Sequence, residues 1–586
     1  MEIRKVGVVG CGTMGSGICE IVARAGFDVV VHEISDVALE HGKERIQRSV
    51  DRAVERGKSD RAEADALIAR IATTTSLADL GGCDLIIEAV PEHLDLKKEV
   101  FAALDEVAGP ETIFATNTSS LPVIDMAVAT KRPDRVVGFH FFNPAQVMKL
   151  VELVHTVATD PEVLESAKLF AEGLGKTAVA CRDRAGFIAN LLLFPYLNSA
   201  TRMYDQGYAS REDIDASMKL GCGHPMGPLE LLDLIGLDSS YEICEALWRQ
   251  FRDDQDAPAP LLKQYVVAGY LGRKSGRGFY RYEHPESPKI VDGVTPDGGV
   301  TGSPFSTIGV VGTGLMASGI AEVAAKAGNE VILRGRSEAS IKKAKAAVQK
   351  SLDKAVSRGK LDQANADEIL GRITTTLEFS DLAECDVVVE AVAEDLAIKT
   401  TIFEELDRAT KPECVLATTT SSLSVVDLAA VTGRPDKVLG LHFFNPAPIM
   451  KLVEVVRTVA TTQNVVETCT SWIDAIGKHP VQCRDRAGFI VNFLLFPYLN
   501  DAVRMHEEGY GSPEDIDAAM KLGCGHPMGP FELMDIVGLD VTHAILDSLH
   551  EEFRERRYAP APLLEHMVRA GYLGRKSGRG FYDYAR

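Results

Sequence analysis

The chain has 586 residues, 46% of them hydrophobic and 25% charged, an ordinary globular composition with material for about four domains at roughly 150 residues each. Its 63 basic and 84 acidic residues leave a formal charge of −21, which favours solubility and argues against a nucleic-acid footprint. Eleven cysteines without a CxxC pair predict reduced cytoplasmic thiols, and no targeting segment or apolar run of roughly 18 residues points to a membrane.

In chain order, the β-branched run 6–9 ends in Gly10-x-Gly12-x-x-Gly15 and passes into a helical stretch closed by Gly26. A second strand over 28–32 delivers Glu33, twenty-one residues after Gly12. Strand, glycine turn, helix, strand and terminal acid together form a dinucleotide fingerprint. The glycines admit a pyrophosphate to a helix N-terminus, and the acid accepts the ribose hydroxyls. Residues 36–72 predict a helical pair rich in Lys and Arg, by default a solvated face, with a phosphorylated substrate as the functional reading. Strand 83–90 ends at Pro91-Glu92 and strand 113–116 at the polar cluster Asn117-Thr118-Ser119-Ser120. Strand 135–139 ends on His140, and Glu152 follows twelve residues later in an apolar run, a candidate base and carboxylate. From Gly186 the periodicity turns helical, over 187–208, 212–220, 229–237 and 239–252. His224 and His526, in Pro- and Gly-rich loops, read as structural.

All of this occurs twice. His140-Phe141-Phe142-Asn143-Pro144 returns as His442-Phe443-Phe444-Asn445-Pro446, and 218–228 returns letter for letter at 520–530, both 302 residues on. A period of that length is the duplication of a whole folding unit. The fold expected is α/β, two copies of a Rossmann-type doubly wound domain followed by an all-helical domain, over 1–183, 184–284, 307–485 and 486–586. A Pro/Gly/Ser/Thr-rich linker is expected at 285–306.

The glycine fingerprint with Met14, the 117–120 cluster, His140-Phe141-Phe142-Asn143-Pro144, Gly186-Phe187-Ile188-Ala189-Asn190 and Gly276-x-Gly278-Phe279-Tyr280 together resemble the L-3-hydroxyacyl-CoA dehydrogenase family, most closely its 3-hydroxybutyryl-CoA members. The resemblance implies His140 as general base, Glu152 as its partner, and Ser119 and Asn190 at the reacting oxygen. It implies NAD on Gly10, Gly12, Thr13, Met14, Gly15 and Glu33, with Glu92, Lys97, Asn143 and Lys274 nearby, and CoA near Ser49 and Arg56. Acyl-CoA is then the substrate and no metal is needed. Because helical domains pair between subunits in that family, the chain is expected to contain its own dimer, with further assembly left open.

In the second copy Ser421, His442, Glu454 and Asn492 complete the chemical set, and Ser351 and Arg358 the CoA end. The cofactor set becomes Gly312, Gly314, Leu315, Met316, Ala317, Glu394, Lys399, Asn445 and Lys576, but Glu33 is replaced by Gly335 between Arg334 and Arg336. Loss of the acid and gain of guanidinium groups suit a 2′-phosphate, so NAD is expected in the first half and NADP or NAD in the second. Asn117 also becomes Thr419. A drifted second copy serving as scaffold or cofactor sensor, and a hydroxy-acid substrate without CoA, are the alternatives.

Overall fold

A computed structural model describes residues 2–293 and 302–584, and none of its helices there is long and apolar enough to cross a membrane. In the first half, eight strands form one sheet: β1 (Lys5–Val9), β2 (Asp28–His32), β3 (Ile71–Thr74), β4 (Leu85–Glu88), β5 (Ile113–Thr116), β6 (Val136–Phe141), β7 (Leu150–His155) and β8 (Thr177–Arg182). Their order is β3-β2-β1-β4-β5-β6-β7-β8, and the second half repeats it. Adjacent pairs are parallel except β6 and β7. Helices cover both faces, so β4 to β6 are buried along their whole length and read as apolar runs broken only towards their carboxyl ends, by Glu88, Thr116 and His140.

The helical pair forms as α2 (Asp36–Glu55) and α3 (Arg61–Ala69), each started by a side-chain cap: Ser35 accepts from the Ala38 amide, and Asp60 from that of Glu63. The C-terminal part carries helices Ala189–Asp205, Arg211–Cys222, Pro228–Ile235 and Leu237–Phe251, with a further one, Pro260–Val267, that the periodicity did not predict. Of the linker stretch, 294–301 lie outside the described residues, and both flanks are fixed. Arg211 binds the Asp292 carboxylate and carbonyl, and Phe305 packs edge-on against Trp472.

The halves share one apolar core, with Ala189–Asp205 lying against Val491–Glu507. The Tyr208 hydroxyl donates to the Arg484 carbonyl at 2.5 Å, and Tyr510 to that of Arg182 at 2.8 Å, a reciprocal pair across a pseudo-two-fold axis. On that axis the buried rings of His224 and His526 stack at 4.1 Å, in keeping with a structural role. The helices cross over: Pro513–Gly523 packs on β7 and β8, while Arg211–Cys222 packs on Leu452–Arg457 and His479–Arg484.

Asp253, Asp256 and Asp501 line a cavity of about 180 Å³ between the halves, together with Arg184 and Arg504. Burial, then the like charges of Asp253 and Asp501, pushes the carboxyl of Asp256 up to about 7. The folded chain therefore holds a proton there that the unfolded chain has released above the ordinary carboxylate range. This contribution to stability falls as pH rises from about 4 to 7 and stays low above it. Asp256→Asn should stabilise the protein by roughly 1–3 kcal/mol near pH 8 and by much less near pH 5, measured by denaturant unfolding at both pH values.

Candidate active site

β6 and β7 run antiparallel, and their register places His140 directly opposite Glu152. The His140 Nδ1 lies 2.7 Å from Glu152 Oε2, and both residues are buried. The other carboxylate oxygen accepts from the amides of Ile188 and Ala189, at 3.0 and 2.8 Å, where helix Ala189–Asp205 begins. Both oxygens of Glu152 are thus engaged, and Nδ1–H is fixed on the carboxylate, leaving Nε2 of His140 as the free lone pair. Phe142 and Phe187 pack on the imidazole at 4.6 and 5.5 Å. The second half repeats this arrangement: His442 Nδ1 lies 2.6 Å from Glu454, whose other oxygen accepts from Ile490 and Val491 at 3.0 Å each. Its rings, Phe444 and Phe489, stand at 4.6 and 5.6 Å.

Ser119 and Asn190 meet beside this pair, the Asn190 amide donating to the Ser119 carbonyl at 3.3 Å; Asn492 and Ser421 do the same. The serine hydroxyls differ. Ser421 Oγ lies 3.0 Å from His442 Nε2, whereas Ser119 Oγ donates to Glu92 at 3.3 Å. Burial opposes the charge of Glu92, but Lys97, Thr118 and Ser119 outweigh it and hold the carboxyl below its usual range.

Lys97 and Lys399, expected near the cofactor, stand beside Glu92 and Glu394 of the same set. Both are fully buried, Lys97 on Glu88 at 2.7 Å and Glu92 at 3.2 Å, and Lys399 on Glu390 and Glu394 at 2.9 and 3.5 Å, so they brace the acid from below. Lys274 pairs with Asp238 and Lys576 with Asp540, on the helical domains. Asn143 and Asn445 are exposed after the strands that carry the histidines. Ser49 is half-buried and Arg56 exposed on the α2 stretch; Arg358 is likewise exposed, but Ser351 donates to Glu322 at 3.0 Å.

The glycine turn fits a dinucleotide. Gly10 adopts φ +94°, where a Cβ would meet the Ala89 carbonyl at 2.7 Å, and beyond Gly12 the space is open. The helix that follows, α1 (Thr13–Arg24), begins without a side-chain cap, so its first N–H groups are free for an anion. Glu33 stands at the end of β2 and accepts from the Cys11 amide at 2.6 Å. In the second half Ala317 adds a methyl, and Gly312 sits at φ +132°. Arg334 does not face the turn: it stacks on Phe379 at 3.8 Å and donates to the Leu377 carbonyl at 3.2 Å. Arg336 is exposed and has no partner among the described residues.

Sequence reasoning passed over Lys176 and Lys478. The Lys176 ammonium donates to the carbonyls of Ala145 and Met148, at 2.6 and 2.7 Å, pinning the loop between His140 and Glu152; Lys478 holds Ala447 and Met450 alike. Burial, then the charge of Lys326, pushes Lys478 down to about 8. A lone lysine after a glycine gives no signal of this in sequence. The Asn117 amide oxygen, which accepts from the Phe141 amide at 2.9 Å, joins β5 to β6 beside the histidine.

The profile of the 3-hydroxyacyl-CoA dehydrogenase NAD-binding domain matches residues 5–184 and 307–486, and that of the C-terminal domain 186–282 and 488–584. A 3-hydroxybutyryl-CoA dehydrogenase of Mycobacterium tuberculosis is 50% identical over 279 residues, 47% of this chain and 98% of that one. A probable 3-hydroxybutyryl-CoA dehydrogenase of Bacillus subtilis is 45% identical over 287 residues, 49% of this chain and 100% of its own. The crystal structure of 3-hydroxybutyryl-CoA dehydrogenase from Escherichia coli K12 aligns over 98% of this chain and 100% of that chain, with TM-score 0.71 and 27% identity. The chain belongs to the 3-hydroxyacyl-CoA dehydrogenase family and carries both of the family's domains twice.

Proposed function

We propose that each half interconverts an (S)-3-hydroxyacyl-CoA and the corresponding 3-ketoacyl-CoA, with the 3-hydroxybutyryl and acetoacetyl pair as preferred substrates. The observation that carries this is the buried His–Glu pair, present in both halves, with Nε2 turned from the carboxylate, free in His140 and beside the Ser421 hydroxyl in His442. In the oxidative direction Nε2 of His140 takes the hydroxyl proton, and Glu152 steadies the imidazolium that forms. Ser119 and Asn190 donate to the oxygen as it becomes a carbonyl, and give it back a polar cradle in reverse. Bound nicotinamide supplies the hydride acceptor. The turn at Gly10, Gly12 and Gly15 and the N–H groups of Thr13 and Met14 receive the pyrophosphate, and Glu33 the ribose. Arg48 and Arg52, exposed on α2, with Arg56 at its end, suit the CoA phosphates, and the eleven free thiols suit a cytoplasmic setting. Steady-state rates with acetoacetyl-CoA, longer 3-ketoacyl-CoA thioesters and free acetoacetate test the substrate. The four-carbon thioester should be fastest; equal turnover of the free acid would remove CoA from the reading.

The first half uses NAD and the second prefers NADP. Gly335 supplies no acid, and Arg336, exposed and without a partner among the described residues, is the group for a 2′-phosphate. Arg336→Ala is expected to weaken NADPH binding roughly tenfold or more, the loss of one charge-assisted contact, with NADH binding unchanged. Titration of each reduced nucleotide by its own fluorescence measures this. Restoring an acid at 335 is the poorer test, because a Cβ there would meet Ile341 at 2.6 Å and Thr313 at 2.9 Å.

A further inference from the structure

We infer that the chain also catalyses hydride exchange between the two nicotinamide nucleotide pools, with the acyl-CoA pair as the carrier. This rests on the reading that the second half takes NADP. Two observations lead to it. The His–Glu pairs are alike to within 0.1 Å, at 2.7 and 2.6 Å, and equivalent phenylalanines flank both imidazoles, so the two sites can process the same acyl pair. The nucleotide ends are unlike, with Glu33 on its loop amide in one copy and Gly335 beside a free Arg336 in the other.

At the second site, hydride from NADPH adds to the 3-keto carbon and His442 gives the proton to the oxygen. The products are NADP+ and (S)-3-hydroxyacyl-CoA. At the first site the same thioester loses that hydride to NAD+ and its hydroxyl proton to His140, which regenerates the 3-ketoacyl-CoA. The sum is NADPH and NAD+ giving NADP+ and NADH, with one proton taken up and one released. Acyl-CoA is not consumed, so a small amount supports many cycles. Fusion of the halves keeps the sites in equal number, and the direction follows whichever pool is more reduced.

The test uses the full-length protein with NADPH, the thionicotinamide analogue of NAD+, whose reduced form absorbs apart from NADPH, and acetoacetyl-CoA far below either nucleotide. The reduced analogue should form one for one with NADPH lost, many-fold beyond the acyl-CoA added, and not at all without it. His140→Ala and His442→Ala should each abolish the exchange, and an equimolar mixture of the two variants should restore it through free acyl-CoA. Exchange that persists in His442→Ala would overturn the proposal, because one site would then accept both nucleotides. So would absence of exchange when both half-reactions run separately with acetoacetyl-CoA. The underlying cofactor reading fails by a different signal, namely NADPH binding, followed by fluorescence, that is unaltered by Arg336→Ala.

Discussion

His140→Ala should lower NAD-linked turnover at the first site on the order of 10²–10⁴-fold and, with NADP proposed for the second site, should leave NADPH-linked reduction there in place. The expectation follows from the free Nε2 of a buried imidazole whose other nitrogen is occupied by Glu152 at 2.7 Å. No neighbouring group takes over: Ser119 is turned to Glu92, and the Glu152 oxygens are engaged by His140 and the backbone. His442→Ala gives the reverse, and the double variant loses both reactions while still binding nucleotide at both glycine turns. Steady-state rates with each cofactor decide it. A loss at the first site of less than about tenfold would mean that His140 is not the proton acceptor there.

Glu152→Gln should cost on the order of 10³-fold in turnover with little loss of stability. The amide oxygen can still accept from Ile188 and Ala189. Its nitrogen then faces the imidazole as a donor, which forces Nδ1 to accept and places the ring proton on Nε2, where the substrate hydroxyl needs a lone pair. Glu152→Ala removes the acceptor altogether, stranding an imidazole N–H and two backbone amides in a site from which water is excluded. That variant should be destabilised by roughly 3–5 kcal/mol as well as inactive. Turnover and the unfolding midpoint, measured on both variants, separate the two effects. An active Glu152→Gln protein would show that the tautomer does not matter.

Much of this was legible in the chain. The doubled domain pair followed from the repeat, and the dinucleotide turn from glycines whose conformations few other residues adopt. His140 and Glu152 were identifiable as residues but not as neighbours, since twelve residues of sequence do not say that β7 turns back against β6. Lysines were the least legible, because a charge is read from sequence as a solvated or ligand-facing group. Lys97 is instead closed over by Glu88 and Glu92, and Lys176 by two loop carbonyls. Arg334 misled for the same reason, its ring partner Phe379 lying on a separate element. Helix Pro260–Val267 was hidden by the prolines just before and at its start, which look like loop until the helix they open is seen.

The crossed helices tie the history of the two copies together unequally. Gly523, in the second copy, lies against the first site: a Cβ there would come within 2.8 Å of Leu150 and 3.1 Å of Phe142, the ring that packs on His140. A mutation inherited in one copy is therefore expressed in the other, and the stretch at the axis faces its own twin. That stretch has remained letter for letter the same, at 218–228 and 520–530, as has 268–280 at 570–582, while the nucleotide loops have parted at Glu33 and Gly335. Each copy thus forms part of the wall of the other's site, Gly523 against Leu150 and Gly221 against Leu452, so neither can drift alone where the two touch.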